Sequence, residues 1–535
     1  MNNFVEQMTT KDAFTENGAI SHSTTGDLTL DYFSKAGTYR NRTEQEVAGD
    51  ISAAWNENPE MALKTIFYLR SVTRKTRGFF ESEKVNKGQG VRDEFIKLVK
   101  WLENNHPETL YKNLWLIPVV GTWKDLWYDS AESKYVHYIN PIEVYKLVEK
   151  GLTDEYNRGL LAKYLPRIRS KSNVKNERHI RLNNWAKGLC DYLGWSQTDY
   201  RKFKSNPENT AHLFQRVMCD GLWNNLDFSV ISGKALFNLM TLKGKDGKTV
   251  FQRHGLEDKY VEWLKTQPTA KFTGYVYELF KQVKGMLPLP QKITFDKQFD
   301  GLVELAKQDE NIMDGVWCCL DTSGSMGSIV DGKDTSAYDV CVSLGIFFSE
   351  LNEGAFHNHV IMFDNTSRVL KLNGSFTDKC LQIRNHSTAW GGTNFQSIVD
   401  EIVRVRKSNP LIPLNEYPKH ILVVSDMAFN AYGEETNYDA MKRKLAEVGL
   451  VDMDFIWWNV IGGERASRNR DYTNKSKDEG VTLLSGFDGS TLQLILGGEM
   501  ETVDEKTGET RKLTPMEQMI KVLNQEALSL LSVVD

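Results

Sequence analysis

The clearest chemical signal in the sequence comes from two aspartates and three hydroxyl side chains on three separate loops. These residues are Asp321, Ser323, Ser325, Thr393 and Asp426. Carboxylate and hydroxyl oxygens form a hard donor set that suits Mg²⁺, with Mn²⁺ as a second candidate. Five such side chains cannot complete an octahedron without water, so one position would stay open for an acidic group of a protein partner.

Each loop is positioned by an element that can be read from the sequence. The apolar runs Val316–Leu320 and Ile421–Val424 end next to the two aspartates, and Gly391-Gly392-Thr393 precedes a helical segment. Similar strands and helices alternate up to Ser485. Alternation of this kind predicts a mostly parallel, Rossmann-like sheet covered on both faces by helices. In such a sheet, ligands gather at the carboxyl ends of the strands.

Two other interpretations of these loops remain open on the residues alone. In one, Asp321 caps a turn and Asp426 caps a helix, with no metal. In the other, Asp321 is the nucleophile of a phosphatase, but Ser323 then occupies a position where a second acidic residue is expected. The sequence has no nucleophile–base pair, phosphate loop or zinc spacing, so we predict that the protein is not an enzyme.

The part of the chain before residue 300 has a different pattern. Residues 1–40 are polar with scattered glycines and indicate an irregular N-terminal arm. Helical periodicity follows, and the predicted helices are Glu44–Asn56, a helix opening at Pro59, Val91–Asn104, Pro141–Tyr156, His179–Leu193 and Leu256–Leu264. Successive helices without strands predict an irregular, HEAT-like α-helical array. The fold class is therefore α plus α/β.

The most basic segment of the chain lies between Lys163 and Lys204. We predict RNA contacts for ten of its residues: Lys163, Arg167, Arg169, Lys171, Lys175, Arg178, His179, Arg181, Arg201 and Lys202. Aromatic side chains, among them Tyr164, Trp185 and Tyr200, are interleaved with them. Cations beside aromatic rings suit phosphate contact and base stacking. The alternative is a solvated basic helix face with aromatic residues in the core.

A smaller basic group follows the helix that opens at Pro59. It consists of Arg70, Arg74, Lys75 and Arg77. Cations at the end of a helix also interact favourably with the helix dipole, so this group has a structural explanation as well.

Composition limits the class of protein. The chain has 535 residues, 40% hydrophobic and 26% charged, with a net charge of −5. Its six cysteines show no CxxC spacing, which argues against a disulfide framework or a zinc site. The N-terminus lacks the basic and apolar regions of a signal peptide, and no apolar window is long enough to cross a bilayer. We therefore expect a cytoplasmic protein without membrane contact.

The three oxygen-bearing loops resemble the metal-ion-dependent adhesion site of von Willebrand factor A domains. That site combines Asp-x-Ser-x-Ser, a distant threonine and a distant aspartate in this order. The resemblance implies that Ser323, Ser325 and Thr393 contact the ion. It implies that Asp321 and Asp426 contact the ion directly or through water.

A helical array followed by a von Willebrand A domain also resembles the Ro 60-kDa, or TROVE, architecture. The segments Asn58–Lys64 and Gly121–Leu126 carry this resemblance. Tyr164–Arg167, Leu193–Ser196 and Pro515–Met519 resemble the uncharacterised Ro-like family DUF2828 more closely. Ro proteins form helical rings that bind structured RNA and single-stranded RNA ends. The resemblance therefore implies a ring-shaped array and a ribonucleoprotein role.

Together these observations predict four regions. They are an arm over residues 1–40, a TROVE-like array over 41–300, a von Willebrand A domain over 301–498, and a charged hairpin with a C-terminal helix over 499–535. The predicted function is a non-catalytic, RNA-binding scaffold that holds Mg²⁺ for an acidic partner group. The alternative is a protein-interaction or structural module that uses the metal site and has no RNA role.

Overall fold

The computed structural model describes residues 13–40, 42–127, 139–210, 214–307, 313–331, 333–386, 390–462, 472–496, 501–504 and 508–535. The chain divides into two compact units. The α/β unit combines the chain up to residue 62 with residues 268–524, and the helical unit combines residues 63–267 with residues 525–535.

A six-stranded sheet forms the centre of the α/β unit. Its strands in chain order are β1 (Val316–Asp321), β2 (His359–Phe363), β3 (Ser367–Lys371), β4 (His420–Ser425), β5 (Asp454–Asn459) and β6 (Val481–Ser485). The spatial order is β6-β5-β4-β1-β2-β3, and all neighbours are parallel except β2 and β3. The prediction of a mostly parallel sheet is confirmed.

The inner strands are buried along nearly their whole length, which explains why they appear in the sequence as continuous apolar runs. Ten α-helices of this unit lie in the described residues, and one further helix, Pro59–Arg70, crosses into the helical unit. The ten are Leu28–Ala36, Glu44–Glu57, Val276–Phe280, Leu289–Lys307, Ala337–Leu351, Phe376–Asn385, Gln396–Ser408, Asn437–Ala446, Leu492–Leu496 and Pro515–Leu523.

Local capping explains where two helices of this unit begin. Ala337–Leu351 starts after Ser336, which exchanges hydrogen bonds with Asp339 in a capping box. Pro515–Leu523 starts after Thr514, which makes the same arrangement with Glu517. Each capping box satisfies backbone N–H groups that the first helical turn leaves without a partner.

The expectation of an irregular arm over residues 1–40 is wrong for one part of it. Leu28–Ala36 is a helix capped by Asp27, and most of its residues are buried. Just after it, Gly37 approaches β6 so closely that its N–H donates to Ser485 Oγ at 3.1 Å. Tertiary packing against the sheet therefore stabilises a helix too short to be expected from local pattern alone.

The helical unit is an array of short helices, as predicted. In the described residues its α-helices are Asp93–Asn105, Pro107–Asn113, Ile117–Val120, Pro141–Thr153, Glu155–Tyr164, Glu177–Leu193, Gln197–Ser205, Pro207–Thr210, Phe214–Cys219, Gly233–Thr241, Val250–Arg253 and Glu257–Lys265. The single helix predicted over Pro141–Tyr156 is wrong. Asp154 adopts an extended conformation, and its side chain accepts a hydrogen bond from the N–H of Asn157, which starts a new helix.

Short two-stranded ribbons complete both units. They pair Ala13–Phe14 with Ile20–Ser21, Arg74–Thr76 with Lys84–Asn86, Met313–Asp314 with Asn352–Glu353, and Glu501–Val503 with Thr510–Lys512. The last pair matches the predicted charged hairpin, and Gly508 has a positive φ of 71° there.

The compact units do not follow the four predicted ranges. Those ranges group residues by secondary-structure type, whereas packing joins segments that are distant in the chain. The described part of the arm and Glu44–Glu57 pack in the α/β unit, and residues 525–535 pack in the helical unit.

Candidate functional site

The carboxyl edge of the sheet brings the two aspartates of the predicted metal site together. β1 and β4 are parallel neighbours with Leu320 opposite Val424, so Asp321 and Asp426 leave the same edge side by side. Both side chains are fully buried at 0% exposure. The edge that the sequence indicated therefore holds two buried carboxylates.

The loop after β1 is held by its own aspartate. Asp321 Oδ1 accepts a hydrogen bond from the N–H of Ser323 at 2.9 Å, and the hydroxyls of Ser323 and Ser325 lie 3.1 Å apart. Ser323 is buried and Ser325 is half-buried. The Asp-x-Ser-x-Ser spacing thus places one carboxylate and two hydroxyls in a single turn.

Thr393 lies on the loop that meets this turn. The N–H of Gly324 donates to the carbonyl of Gly391 at 3.0 Å. Asn430, beyond β4, accepts from the N–H of Thr393 and donates to its carbonyl, both at 3.0 Å. Thr393 is 1% exposed. The structure therefore brings all three predicted loops into direct contact at one edge.

Burial and a neighbouring carboxylate determine the electrostatics of Asp321 at this edge. Burial, followed by the charge of Asp426, raises the pKa of Asp321 well above its ordinary value of 3.8. In the described residues, the groups that act on the pKa of Asp321 are Asp426, Ser425 and Ser323, none of which is a cation. A divalent cation would neutralise these charges, and an all-oxygen donor set is what Mg²⁺ prefers. The residues present fit the ion.

In the described residues, no three His, Cys, Asp or Glu side chains lie close enough together to hold a metal ion by themselves. The edge described above has only two carboxylates, and its other donors are hydroxyls.

Two residues at this edge were not selected from the sequence. Ser425 Oγ donates to Asp321 Oδ2 at 2.5 Å, and its position directly before Asp426 was the only available signal. Asn17, in the arm, donates through Nδ2 to the carbonyl of Ala428 at 2.5 Å and to Thr393 Oγ1 at 3.5 Å. No sequence pattern links Asn17 to a loop almost four hundred residues away.

The predicted RNA-binding residues all belong to the helical unit, where they spread over several elements. Lys163 ends the helix Glu155–Tyr164, and Arg178, His179 and Arg181 lie in the first turns of Glu177–Leu193. Five of these side chains are exposed: Arg167, Arg169, Lys175, Arg201 and Lys202. Four others are half-buried: Lys163, Arg178, His179 and Arg181. The side chain of Lys171 lies outside the described part of the chain.

Four cations of this unit form what we call the cationic cluster: Arg92, Lys124, Lys163 and Arg178. Partial burial, followed by the charges of Arg92, Lys163 and Arg178, lowers the pKa of Lys124. The ring centroid of Tyr164 lies 5.6 Å from Lys124 Nζ and 5.2 Å from Lys163 Nζ. Arg92 and Lys124 were not among the predicted contacts.

His179 belongs to a second group of like charges. Partial desolvation, followed by the charges of Arg169 and Arg178, lowers its pKa. The loop that carries Arg169 is fixed to the same helix, because Asn183 accepts from its N–H at 2.9 Å and donates to its carbonyl at 3.0 Å. Arg178 therefore connects this group to the cationic cluster.

Two of the interleaved aromatic rings follow the alternative given for this segment, in which the aromatic residues belong to the core. Trp185 and Tyr200 are 3% and 0% exposed, so these two aromatic rings belong to the core and are unavailable for base stacking. Ile180, in the first turn of the helix Glu177–Leu193, is 49% exposed. Lys204 instead donates to the carbonyls of Ala162 and Leu165, and burial lowers its pKa to about 7.

The smaller basic group after Pro59–Arg70 is largely internal. Arg70 is buried and pairs with Asp125 at 2.7 Å, and Arg77 pairs with Asp154 at 3.3 Å. Arg74 donates to the carbonyl of Gly121, and burial lowers its pKa. Only Arg70 ends the helix, because Arg74–Thr76 is a strand. Cation binding to a helix terminus therefore does not explain this group, and packing does.

Comparison with known proteins gives two family matches. Residues 15–163 match DUF2828 and residues 316–529 match DUF7788, both described as domains of unknown function. The predicted resemblance to DUF2828 is confirmed over the first of these ranges. DUF7788 covers the sheet and its carboxyl edge.

Two individual proteins are similar over most of the chain. "Uncharacterized protein L728" of Acanthamoeba polyphaga mimivirus is 24% identical, and the alignment covers 97% of this chain and 88% of that protein. The crystal structure of the Deinococcus radiodurans Ro (RSR) protein aligns with 12% identity and a TM-score of 0.41, covering 88% of this chain and 98% of that chain. Within the described residues, no helix has the length and apolar character to cross a membrane.

Proposed function

We propose that this chain, whose residues 15–163 match DUF2828, is a non-catalytic, Ro-like RNA-binding scaffold with a Mg²⁺ site for an acidic group of a partner. The observation that carries the metal site is the meeting of three loops at one buried edge, with two carboxylates and three hydroxyls. The observation that supports RNA binding is the cationic cluster beside Tyr164.

The residues that would hold the ion are Asp321, Ser323, Ser325, Thr393 and Asp426. When bound, Mg²⁺ offers a coordination position that a carboxylate of a partner can occupy. The chain itself contributes the orientation of its donors: Ser425 fixes one Asp321 oxygen, and the N–H of Ser323 fixes the other. Binding needs only such preorganised ligands, whereas catalysis would also need a nucleophile or a base that contacts a substrate.

Mg²⁺ titration of the melting temperature tests the metal site. A ligand that binds only the folded state stabilises it by about 2.7 kcal/mol at a hundredfold excess over Kd. We expect wild-type protein to show such a shift and the double variant Asp321→Ala, Ser323→Ala to show none. Equal shifts in both proteins would mean that the ion binds elsewhere. Mn²⁺ serves as a second probe with the same ligand preference.

RNA binding is supported by the charges and rings that the helical unit brings together. Phosphate contacts release counterions, so affinity should fall steeply with salt. The ring of Tyr164, half-buried between Lys124 and Lys163, offers a stacking surface next to two cations. These are the features by which single-stranded RNA is recognised.

The test uses fluorescence anisotropy with a labelled single-stranded RNA of mixed sequence and a labelled stem-loop. The variant Lys124→Glu, Lys163→Glu, Arg178→Glu should reduce affinity by about 100-fold or more. If each side chain contacts one phosphate, the slope of log K against log salt should fall by about 2, at roughly 0.7 per contact.

A matched control changes net charge equally at three exposed lysines of one turn, Lys243, Lys245 and Lys248. Their reversal to glutamate should leave most of the affinity. Equal losses in both variants would mean that only net charge matters. Wild-type protein that binds neither RNA would instead favour an interaction module that uses the metal site alone. Arg201→Glu with Lys202→Glu tests separately whether the helix Gln197–Ser205 belongs to the RNA surface.

A further inference from the structure

The N-terminal arm lies along the loop that follows Asp426. Gly18 forms an antiparallel bridge with Asn430, and the N–H of Ala431 donates to the carbonyl of Asn17 at 3.3 Å. The hydroxyl of Thr15 donates to the carbonyl of Phe429 at 2.6 Å. Residues 15–18 therefore form an extra edge on one of the three metal loops.

The arm is preorganised for this contact by a local turn. The N–H of Gly18 donates to the carbonyl of Thr15, and the N–H of Thr15 donates to the carbonyl of Ala19, both at 2.9 Å. The N–H of Ala19 donates in turn to the hydroxyl of Thr15 at 3.0 Å. Gly18 adopts a φ of 80°, which glycine reaches without steric cost. The turn projects the Asn17 side chain toward the carboxyl edge of the sheet.

Asn17 joins two of the three metal loops through one amide group. Its Nδ2 donates to the carbonyl of Ala428, two residues after Asp426, and to the hydroxyl oxygen of Thr393. The two amide protons can serve these acceptors separately. The amide therefore links the loop of one proposed ligand to the side chain of another.

The hydrogen bond from Asn17 to the Thr393 hydroxyl has a chemical consequence. Asn430 fixes the main chain of Thr393, but it leaves rotation of the threonine side chain free. A proton donated by Asn17 to Oγ1 occupies one lone pair and leaves the other for a cation. Groups that hydrogen-bond to a ligand in this way orient it, and their loss commonly weakens metal binding.

We propose that Asn17 is a positioning residue of the metal site, which holds the Thr393 hydroxyl in the orientation that a Mg²⁺ ligand requires. The inference rests on the proposed function, because it assumes that the edge binds the ion. The arm then has a defined role, because residues 15–18 connect the loop after Asp426 to the loop that carries Thr393.

The test measures Mg²⁺ affinity by isothermal titration calorimetry and, separately, the melting temperature without metal. Asn17→Ala should weaken Mg²⁺ binding by about 10-fold or more, the usual cost of losing a group that orients a ligand. Thr15→Val is the matched control: it removes the hydrogen bonds of the Thr15 hydroxyl with Phe429 and Ala19, but it keeps the two main-chain hydrogen bonds of the turn and both contacts of Asn17. It should change Mg²⁺ affinity less than about 2-fold, a difference well below that expected for a lost orienting group.

A double-mutant cycle separates positioning from arm docking. On a Thr393→Ala background, Asn17→Ala should weaken Mg²⁺ binding no further, because the hydroxyl that it orients is absent. An additive effect, or equal losses of affinity in Asn17→Ala and Thr15→Val, would overturn the inference and show that docking of the arm is what matters. Unchanged affinity in Asn17→Ala would overturn it as well.

Failure of this inference differs from failure of the metal site. If wild-type protein binds Mg²⁺ and Asn17→Ala binds it equally well, only the role of Asn17 is refuted. If wild-type protein does not bind Mg²⁺, the metal site and the role of Asn17 are refuted together.

Discussion

Two buried aspartates, one in each unit, have opposite electrostatic surroundings. Asp125 of the helical unit is 1% exposed, and its oxygens lie 2.7 Å from Arg70 Nη2 and 2.9 Å from Arg92 Nε. It also accepts a hydrogen bond from the N–H of Thr122 at 2.9 Å. Its negative charge is thus balanced within the fold by two guanidinium groups.

Asp321 of the α/β unit is equally buried, but in the described part of the chain its carboxylate accepts hydrogen bonds from neutral groups only, the hydroxyl of Ser425 and the N–H of Ser323. Its nearest charge is the carboxylate of Asp426, which raises its pKa further after burial. The comparison shows that burial alone does not mark a functional carboxylate. The missing counter-charge does, because a buried charge without an opposite partner is costly to keep in a folded protein.

The largest effect that follows from this comparison concerns Asp125. Asp125→Asn keeps the shape of the side chain but leaves Arg70 buried without its counter-charge. Breaking a buried ion pair from one side costs about 3–5 kcal/mol, so we expect a large loss of stability. Urea unfolding followed by circular dichroism measures it.

A control for this prediction lies in the same unit. Asp246 also binds an arginine, Arg253, at 2.9 Å, but both side chains are more than 40% exposed. Asp246→Asn should hardly move the unfolding midpoint. If both variants lose the same stability, the contrast between buried and exposed pairs is wrong for this unit.

The second effect concerns the pH dependence of stability without metal. The folded protein binds a proton at Asp321 more tightly than the unfolded chain does, since its pKa is raised in the fold. The contribution of Asp321 to stability should therefore be largest at low pH and fall by about 1 kcal/mol for each pH unit as pH rises through the interval between the ordinary and the raised pKa. Melting temperatures in EDTA between about pH 5 and pH 8 measure the slope within the range where this group titrates.

Asp321→Asn is the control variant for this change of stability with pH. The amide cannot titrate, so the variant should lose this part of the pH dependence and be the more stable protein at neutral pH. The same substitution thus destabilises the helical unit at Asp125 and stabilises the α/β unit at Asp321. A wild-type protein that gains stability with rising pH as steeply as the variant would contradict the raised pKa.

The smallest effect concerns Ser425, which links the two strands below the site. Ser425→Ala removes the hydrogen bond to Asp321 and the one that its oxygen accepts from the N–H of Met427 at 2.9 Å. We expect a loss of about 1 kcal/mol, the net value of a typical hydrogen bond. Chemical unfolding without metal measures it.

Ser343→Ala provides a matched comparison in the same unit. Ser343 is also buried, but its hydroxyl donates to the carbonyl of Val340 within its own helix, at 2.9 Å. Removing the Ser343 hydroxyl takes no hydrogen bond from a charged group. Ser343→Ala should therefore lower the free energy of unfolding less than Ser425→Ala does. Equal costs would indicate that the hydrogen bond to Asp321 has no special weight.

The strands and the donor set at their ends could be predicted because they depend on local sequence. β1 and β4 contain the apolar runs Val316–Leu320 and Ile421–Val424 from which the sequence predicts strands, since continuous apolar runs of this length fit a strand buried on both faces. The Asp-x-Ser-x-Ser turn is likewise local, because Asp321 binds the N–H two residues ahead.

Other features could not be predicted, because one-dimensional patterns do not show which charge is neutralised or which ring is covered. Arg70 and Arg74 form a basic group in the sequence, yet Arg70 forms an ion pair with Asp125, fifty-five positions away. Trp185 and Tyr200 look like rings available for stacking, yet both are core residues. Lys124 joins Lys163 only through packing of separate helices.

The sequence by itself determined the type of chemistry: five oxygen donors, an alternation that aligns strands, and a basic segment among short helices. Only the tertiary structure decided which charges remain uncompensated. It paired Asp125 with two arginines, placed Asp321 beside Asp426, and brought Asn17 of the arm to Thr393. The physical reason is that the energy of a charge or of an orienting hydrogen bond depends on distances in space, and these are set by packing between segments far apart in the chain.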